Sequence, residues 1–574
     1  MFLKCSERKT KGKTYKYYNV VEAVRVDGKV KHNILVPLGN ITDEKAAMIR
    51  EVLKIGAPSA KPGFPLYRLN DIVITKSTDF LNIYVLHKLW CEWGLDALFL
   101  GYPHIEKLVI NRCINPMSKY RAAQWEDGEL IDMLNFRQPP NPFGAYGELD
   151  RIAQSEEAIQ KHLCNEFRER DMLASSAIIY DITSTYFEQT KCTLAFKGYS
   201  RDHRPDKLQI IIAMAITTEG YPFYWKVYEG NTPDVTTVEG FADNISKLFG
   251  VTDFVFVFDR GMVSRDNIDY IEEKGYRFIS AIDRNEIRTS TPVDVEQFRG
   301  ADSNTALQDL AHFAKYDDSL WYREYETAKY RYVIGFSAQK LMDERALRQR
   351  RLAKFDAAVA AVNDGLSKAK RSRKRGPVER TVEALLKKTK LKQAVAISIS
   401  EVAVKNGKKA VNSYIVSYAV DQAVINDIEL TDGLTCFHTN TSKDDFSATG
   451  IIRQYREKNA VEEGFREIKG VLELRPVYLS LEDRVKAHVT VCILAYLLWN
   501  TLEKRVSKSI GMSASDILHE LSKCKMHTIT ATTSHERIRT LTRFTNKQLE
   551  ILMHLQYDHK PIERHFKKLV AADC

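Results

Sequence analysis

A chain of 574 residues is long enough for several domains of roughly 100–200 residues each, with interior to spare for a large core. Hydrophobic residues make up 44% and charged residues 28%, which excludes disordered and fibrous classes. Lys plus Arg number 85 against 75 Asp plus Glu, and the net charge of +10 permits a nucleic-acid partner without requiring one. The nine cysteines are scattered from Cys5 to Cys574 with no CxxC spacing, so free thiols in a reducing cytosol are expected, not a disulfide frame or a zinc site. The opening MFLKCSERKTKGK lacks the apolar stretch of a secretory signal. The longest apolar run, Val489 to Trp499, is about half of a membrane span and is flanked by Lys486 and His488, so no membrane association is expected.

Along the chain, residues 14–26 and 29–38 alternate as strands around Asp27-Gly28, a strong hairpin signal. Basic and aromatic residues interleave there (Tyr15, Lys16, Tyr17, Tyr18, Arg25, Lys29, Lys31), as on a solvated ribbon or one that faces nucleic acid. From about 78 to 170 the pattern is helical, punctuated by Asn115-Pro116 and the Pro139–Pro142 stretch. Four short β-rich runs follow: 176–182, 208–217, 221–230 and 254–259. Only Thr218 to Gly220 separate the second from the third, which allows an antiparallel hairpin and forbids a parallel crossover. Helical patterns at 236–250 and 264–274 and a strand at 276–283 complete the order β-β-β-α-β-α-β. That is a mixed sheet of ribonuclease-H-like order, unlike the regular alternation of a Rossmann domain.

Residues 286–445 interrupt this core with a mostly β-rich insertion, and a basic helical stretch runs through 339–392. Its densest part, 368–375, is either a solvated charge run or a phosphate-facing patch. After 445 the chain reads as helical and stays mostly so to its end. The expected class is multidomain α/β, with a ribonuclease-H-like catalytic core, a β-rich insertion and helical flanks. The domain boundaries are 1–70 (β-ribbon), 71–170 (helical, DNA-binding), 171–285 plus 446–510 (catalytic core), 286–445 (insertion) and 511–574 (C-terminal helical region).

Asp181 is expected to close the first core strand and Asp259 the fourth. The sheet order sets those strands side by side. Two carboxylates so placed are costly unless a cation lies between them, and Mg²⁺ is held by such groups. The plain alternative is a strand-end Asp capping the next turn, a role Asp259 is equally placed for before Arg260-Gly261. A third carboxylate is sought on a helix, in YREKNAVEEGFREIKG (455–470). At about 100° per residue, Tyr455, Lys458, Glu462, Arg466 and Lys469 share an arc of about 80°. Val461, Phe465, Ile468 and Leu472 form a separate apolar stripe, and Glu463 and Glu467 point elsewhere. Glu462 is therefore the acid among Tyr, Lys and Arg, although a surface helix laced with i,i+4 pairs has the same pattern.

The spacing of Tyr455, Lys458, Glu462 and Lys469 resembles the Tyr-(2)-Arg-(3)-Glu-(6)-Lys signature of DDE transposases of the insertion-sequence-four superfamily. Lys458 stands where Arg is usual, keeping the charge without the bidentate fork. YDITSTYFE around Asp181 and FDRGMVS around Asp259 resemble the family's first two catalytic strands. GYSRDHRPDKLQ (198–209), NRCINPMSKY (111–120) and the N-terminal ribbon resemble its subgroup sixteen-thirty-four. The resemblance implies that Asp181, Asp259 and Glu462 hold two Mg²⁺ ions, with Mn²⁺ able to substitute, for in-line phosphodiester displacement. It also implies that Tyr455, Lys458, Arg466 and Lys469 contact DNA, and that a homodimer pairs the terminal repeats of an insertion sequence with target DNA in a prokaryotic cytoplasm, associated with the nucleoid. Some relatives use an aromatic wedge from the insertion, and Trp321 lies in that region, where a buried strand Trp is the commoner explanation. The alternatives are a ribonuclease-H-like nuclease that cuts without joining, and a decayed transposase that only binds DNA.

Overall fold

A computed structural model of the chain describes residues 1–10, 13–26, 29–55, 72–136, 140–172, 177–249, 254–262, 264–298, 312–406, 409–531 and 537–572. The Asp27-Gly28 turn, Pro139, Ser176 and the expected boundary at 70/71 lie outside them. Two compact units are formed, Met1–Ser77 with His527–Thr540, and Thr78–Met526 with Leu541–Cys574.

In the first unit, β1 (Phe2–Thr10), β2 (Lys13–Val26) and β3 (Lys29–Gly39) form an antiparallel meander, so the expected hairpin gains a preceding strand. Tyr18 and Val20 are buried while Tyr15 and Tyr17 stay exposed, and the alternation breaks at Val21, buried next to Val20 where the β2–β3 ladder shifts register. Helix Asp43–Ile55 is tied to the ribbon where Asp43 accepts from the Tyr18 hydroxyl at 2.6 Å and from Lys16 at 3.0 Å. Beyond it β4 (Ile72–Asp79) enters a second small sheet with two strands from 525–541, described last.

The second unit is built on a nine-stranded sheet. Its first strands are β5 (Ala177–Tyr186), β6 (Gln209–Ile216), β7 (Pro222–Glu229), β8 (Val255–Phe258) and β9 (Arg277–Ala281). They lie in the order β7-β6-β5-β8-β9, with β5, β8 and β9 mutually parallel and β6 and β7 antiparallel. This is the ribonuclease-H-like order. Gly220, at φ +87°, makes the tight β6–β7 turn possible. Strands β5, β6 and β8 are buried on both faces, β6 and β8 with almost wholly apolar side chains and β5 with Thr183, Ser184 and Thr185 in its second half.

The 286–445 stretch supplies β10 (Ala314–Lys315), β11 (Trp321–Glu326) and β12 (Arg331–Phe336), then a paired ribbon of β13 (Val395–Asn406) and β14 (Lys409–Val420), then β15 (Leu434–Thr439). β15 pairs antiparallel with β9, so β15, β12, β11 and β10 continue the catalytic sheet itself. Helices Ala338–Ser367 and Arg375–Thr389 replace the single basic helical stretch and pack on the β13–β14 ribbon around Phe355, Val359 and Val382. Residues 368–374 are the turn between them. Trp321 is a half-buried strand residue against an insertion cluster that includes Phe336 and Leu434.

Helix Glu482–Leu502 is buried along nearly its whole length beneath the sheet. With its last turns, to Ile510, it is long and apolar enough to cross a membrane, but 94% of its apolar window is buried inside the protein, as in the core helix of a soluble fold. Trp225 of β7 donates to Thr490 on this helix at 3.0 Å, and Trp93 of the helical block 81–169 donates to Thr501 at 3.0 Å, so one helix serves both. The tail is mostly helical, with one strand pair that the sequence reading did not single out: β16 (Lys525–Ala531) and β17 (Arg537–Leu541) pair beside β4. The Thr- and Arg-rich sequence there has the alternation of a short edge sheet, masked by helical neighbours. Every described cysteine is free, as expected.

Candidate active site

Asp181 does not close its strand. β5 runs on to Tyr186 because its antiparallel neighbour β6 pairs with it as far as Gln209. The parallel neighbour β8 ends earlier, with Phe258 opposite Tyr180. Asp181 and Asp259 are thus the next residues on adjacent strands, level with each other where the parallel ladder stops. The expected juxtaposition holds although the expected strand end does not.

Each carboxylate is held by the backbone that follows it: Asp181 Oδ1 accepts from the Ile182 N–H at 2.8 Å and Asp259 Oδ1 from the Arg260 N–H at 2.8 Å. The third acid arrives on two helices, Ala448–Glu457 and Asn459–Lys469, which meet at Lys458. Ser447 caps the first through the Gly450 N–H at 3.1 Å. The predicted stripe Val461, Phe465, Ile468 and Leu472 is buried against the core. Gly464 allows close approach to the core helix, since a Cβ there would lie 2.8 Å from the Tyr496 hydroxyl.

Lys458 is the hub. Its Nζ lies 3.1 Å from Asp259 Oδ1 and 3.0 Å from Glu462 Oε1, with the lysine side chain only 9% exposed. The Tyr455 hydroxyl donates to Asp259 at 3.3 Å, its ring packed on Phe437. Burial pushes the Asp181 carboxyl up to about 6, with Asp259 and Glu462 adding to the shift and Lys458 opposing it. Burial also acts to raise Asp259, but Lys458, the Arg260 N–H and Tyr455 outweigh it and hold that carboxyl below its ordinary value. The Tyr455 phenol is pushed up to about 12, chiefly by burial. Lys458 is held above its ordinary value despite burial by Asp259 and Glu462.

Among the described residues, no three His, Cys, Asp or Glu side chains close around a single point as a metal shell. The donor chemistry nonetheless fits a hard divalent ion. Three all-oxygen acids share one ammonium, which sits between two of them, and the third has its ionisation resisted by the other two. Of the remaining sequence candidates, Arg466 is exposed and pairs with Glu463 at 2.7 Å. Lys469, expected as a phosphate contact, has a side chain only 9% exposed, and its Nζ is bound to Asp202 at 2.8 Å. The arc was right in angle, but two turns beyond Glu462 the loop 198–207 covers that face of the helix. Asp202, 4% exposed, is the residue that sequence reasoning missed. A lone acid among Arg201, His203 and Arg204 was its only signal.

The family model described as "Transposase DDE domain" matches residues 173–498, and that of "IS1634 family transposase, N-terminal domain" matches residues 3–59. No curated protein sequence matches. Among solved structures, the cryo-EM structure of the piggyBac transposase synaptic complex with hairpin DNA is similar over 73% of this chain and 69% of that one, at 10% identity and a TM-score of 0.32.

Proposed function

The chain belongs to the DDE transposase family as an insertion-sequence transposase of the IS1634 type, an enzyme that cleaves DNA and transfers strands, and we propose that Asp181, Asp259 and Glu462 carry that chemistry. Enzymes of this family bind DNA and use divalent metal ions. Here the three carboxylates hold two Mg²⁺ ions, with Mn²⁺ as a substitute. Bound metal supplies charge for both the attacking and the leaving oxygen of an in-line displacement. Glu462, more than half exposed, closes over the two strand acids from its helix. Asp181 and Asp259 are fixed by the Ile182 and Arg260 N–H groups, so the group that must move for an ion to enter is the Lys458 ammonium. Tyr455 and Lys458 bound the acids on one side and face the scissile phosphate, and exposed Arg466 contacts the backbone further out. The helical block within 71–170 reads the terminal repeats, and two protomers pair two DNA ends in the prokaryotic cytoplasm, associated with the nucleoid.

The observation that carries this reading is the Lys458 ammonium drawn between Asp259 and Glu462 while Asp181 is pushed up beside them. The test incubates purified protein and Mn²⁺ with labelled DNA bearing the repeats that flank its own gene, comparing wild type with Glu462→Gln. Nicking at the repeat and joining to target, both lost in the variant, is the expected result. Equal DNA binding by both proteins with no cutting by wild type in any metal would leave only a binding protein.

A further inference from the structure

The loop joining β5 to β6 has no part in the chemistry above, yet it is the most firmly pinned irregular segment near the acids. Phe196 and Gln209 exchange backbone hydrogen bonds at 3.1 and 2.9 Å, and the Gly230 N–H donates to Leu194 O at 3.0 Å. The Gln209 amide donates to the carbonyls of Tyr199 at 3.1 Å and Gly230 at 2.8 Å. The Arg201 N–H donates to Ser184 Oγ at 2.9 Å, three residues beyond Asp181 on the same strand. A Cβ on Gly230 would lie 2.0 Å from Gln209 O, so the chain segments touch with no room for a side chain.

The outer side of this loop carries aromatic and basic side chains, of which Arg201 is paired with Asp234, Arg204 with Asp206 and Lys207 with Glu188, leaving Lys197 and Tyr199 turned to solvent. Tyr199 is 82% exposed, with the Arg201 guanidinium 5.8 Å from its ring centre. Lys197 and His203 are exposed, and Arg204 lies 5.1 Å from the Tyr186 ring. Aromatic rings for bases and cations for phosphates are what a single DNA strand requires of a surface. The inner side carries one acid, Asp202, which accepts from Lys469 at 2.8 Å and from Arg475 at 2.6 Å. Its other oxygen is buried without a partner. Lys469 stands two turns, about 10 Å along the helix axis, beyond Glu462. For Lys469 to reach a phosphate it would have to abandon a buried carboxylate.

We propose that Asp202 and Lys469 are positioning residues: their buried pair fixes loop 197–207 to the catalytic helix, so that Lys197, Tyr199 and His203 contact the DNA strand leading to the acids. Lys469 itself makes no phosphate contact. The proposal rests on the reading of the acids as a DNA-processing site, and its test does not depend on cleavage.

The test compares wild type, Lys469→Met, Asp202→Asn, the double variant and Tyr199→Ala as full chains. Anisotropy of labelled repeat DNA in EDTA measures affinity. Trypsin without DNA, read by mass spectrometry, measures loop opening at Lys197 and Lys207; Arg204 precedes Pro205 and resists, and the Arg201 bond is not used because the varied residue 202 adjoins it. Lys469→Met, Asp202→Asn and the double variant should each cut about ten-fold faster in the loop and bind about ten-fold more weakly, the double being no worse than either single. Tyr199→Ala should weaken binding with the loop still closed. The rival forecast for Asp202→Asn is opposite, because the near-isosteric amide frees the lysine: binding that holds or tightens, with a closed loop, overturns the proposal. Additive losses in the double variant, or unchanged binding in Tyr199→Ala, overturn it as well. If wild type binds but never cuts, the reading of the acids fails while these comparisons still decide the loop.

Discussion

Replacing Lys458 by Met asks whether its ammonium and a divalent ion compete for one place. The lysine lies about 3 Å from two carboxylates, and at an effective dielectric constant of ~20 each contact is worth roughly 5 kcal/mol before screening. Asp259 and Glu462 are 47% and 57% exposed, so water and salt reduce each pair to the roughly 0.2–1 kcal/mol measured for open pairs. Their loss is partly offset because Met needs no hydration at this buried position. A net difference of about 1 kcal/mol favours the metal in the variant, which is about a five-fold tighter ion. The assay is Mn²⁺ titration, following the free-ion electron paramagnetic resonance signal at constant pH and salt. Wild type should need about five times more Mn²⁺ for half-saturation than Lys458→Met, and without metal the variant should be the less stable of the two. Equal or weaker Mn²⁺ binding by the variant would refute the idea that the ammonium occupies the cation's place.

Three further outcomes are expected. Burial holds His438 down to about 4, so the folded protein binds fewer protons than the unfolded chain between that value and about 6.5. Stability is therefore full above about 6.5 and falls as pH drops through the window, by up to about 3 kcal/mol for this group, and His438→Phe should flatten the dependence of the thermal midpoint on pH there. A Cβ at Gly464 meets the Tyr496 hydroxyl, so Gly464→Ala should cost about 1–3 kcal/mol in thermal unfolding, and adding Tyr496→Phe should recover part of it. Arg466→Ala, at an exposed position, should leave stability within about 0.5 kcal/mol and lower the salt-dependence slope of DNA binding by about one.

The first five strands of the sheet were legible because they are short apolar runs, because the link Thr218 to Gly220 is too brief for anything but a hairpin, and because helical periodicity marks the crossovers between the later ones. The approach of Asp181 to Asp259 followed from strand order alone. Its true cause, a parallel ladder ending opposite Tyr180 while the antiparallel one continues to Tyr186, depends on pairing that one strand's sequence does not record. The helical arc correctly grouped Tyr455, Lys458 and Glu462. It gave no sign that Lys469 is covered and paired with Asp202, because periodicity gives the direction of a side chain and not what covers it. The membership of β15 in the catalytic sheet was hidden for the same reason: a strand's partner is chosen by the fold, and Leu434–Thr439 reads equally well in any sheet.

Phe336, the last residue of β12, is the register partner of Leu434, the first of β15. Everything from Ser337 to Gly433 therefore leaves the sheet and returns to it at one rung, where facing Cα atoms are about 5 Å apart. Such a port does not sense the length of what is hung on it. The paired helices and the β13–β14 ribbon could be shortened, lengthened or exchanged for a tight turn, and β12 and β15 would still close on each other. Relatives with the same acids are free to carry unrelated modules at this rung.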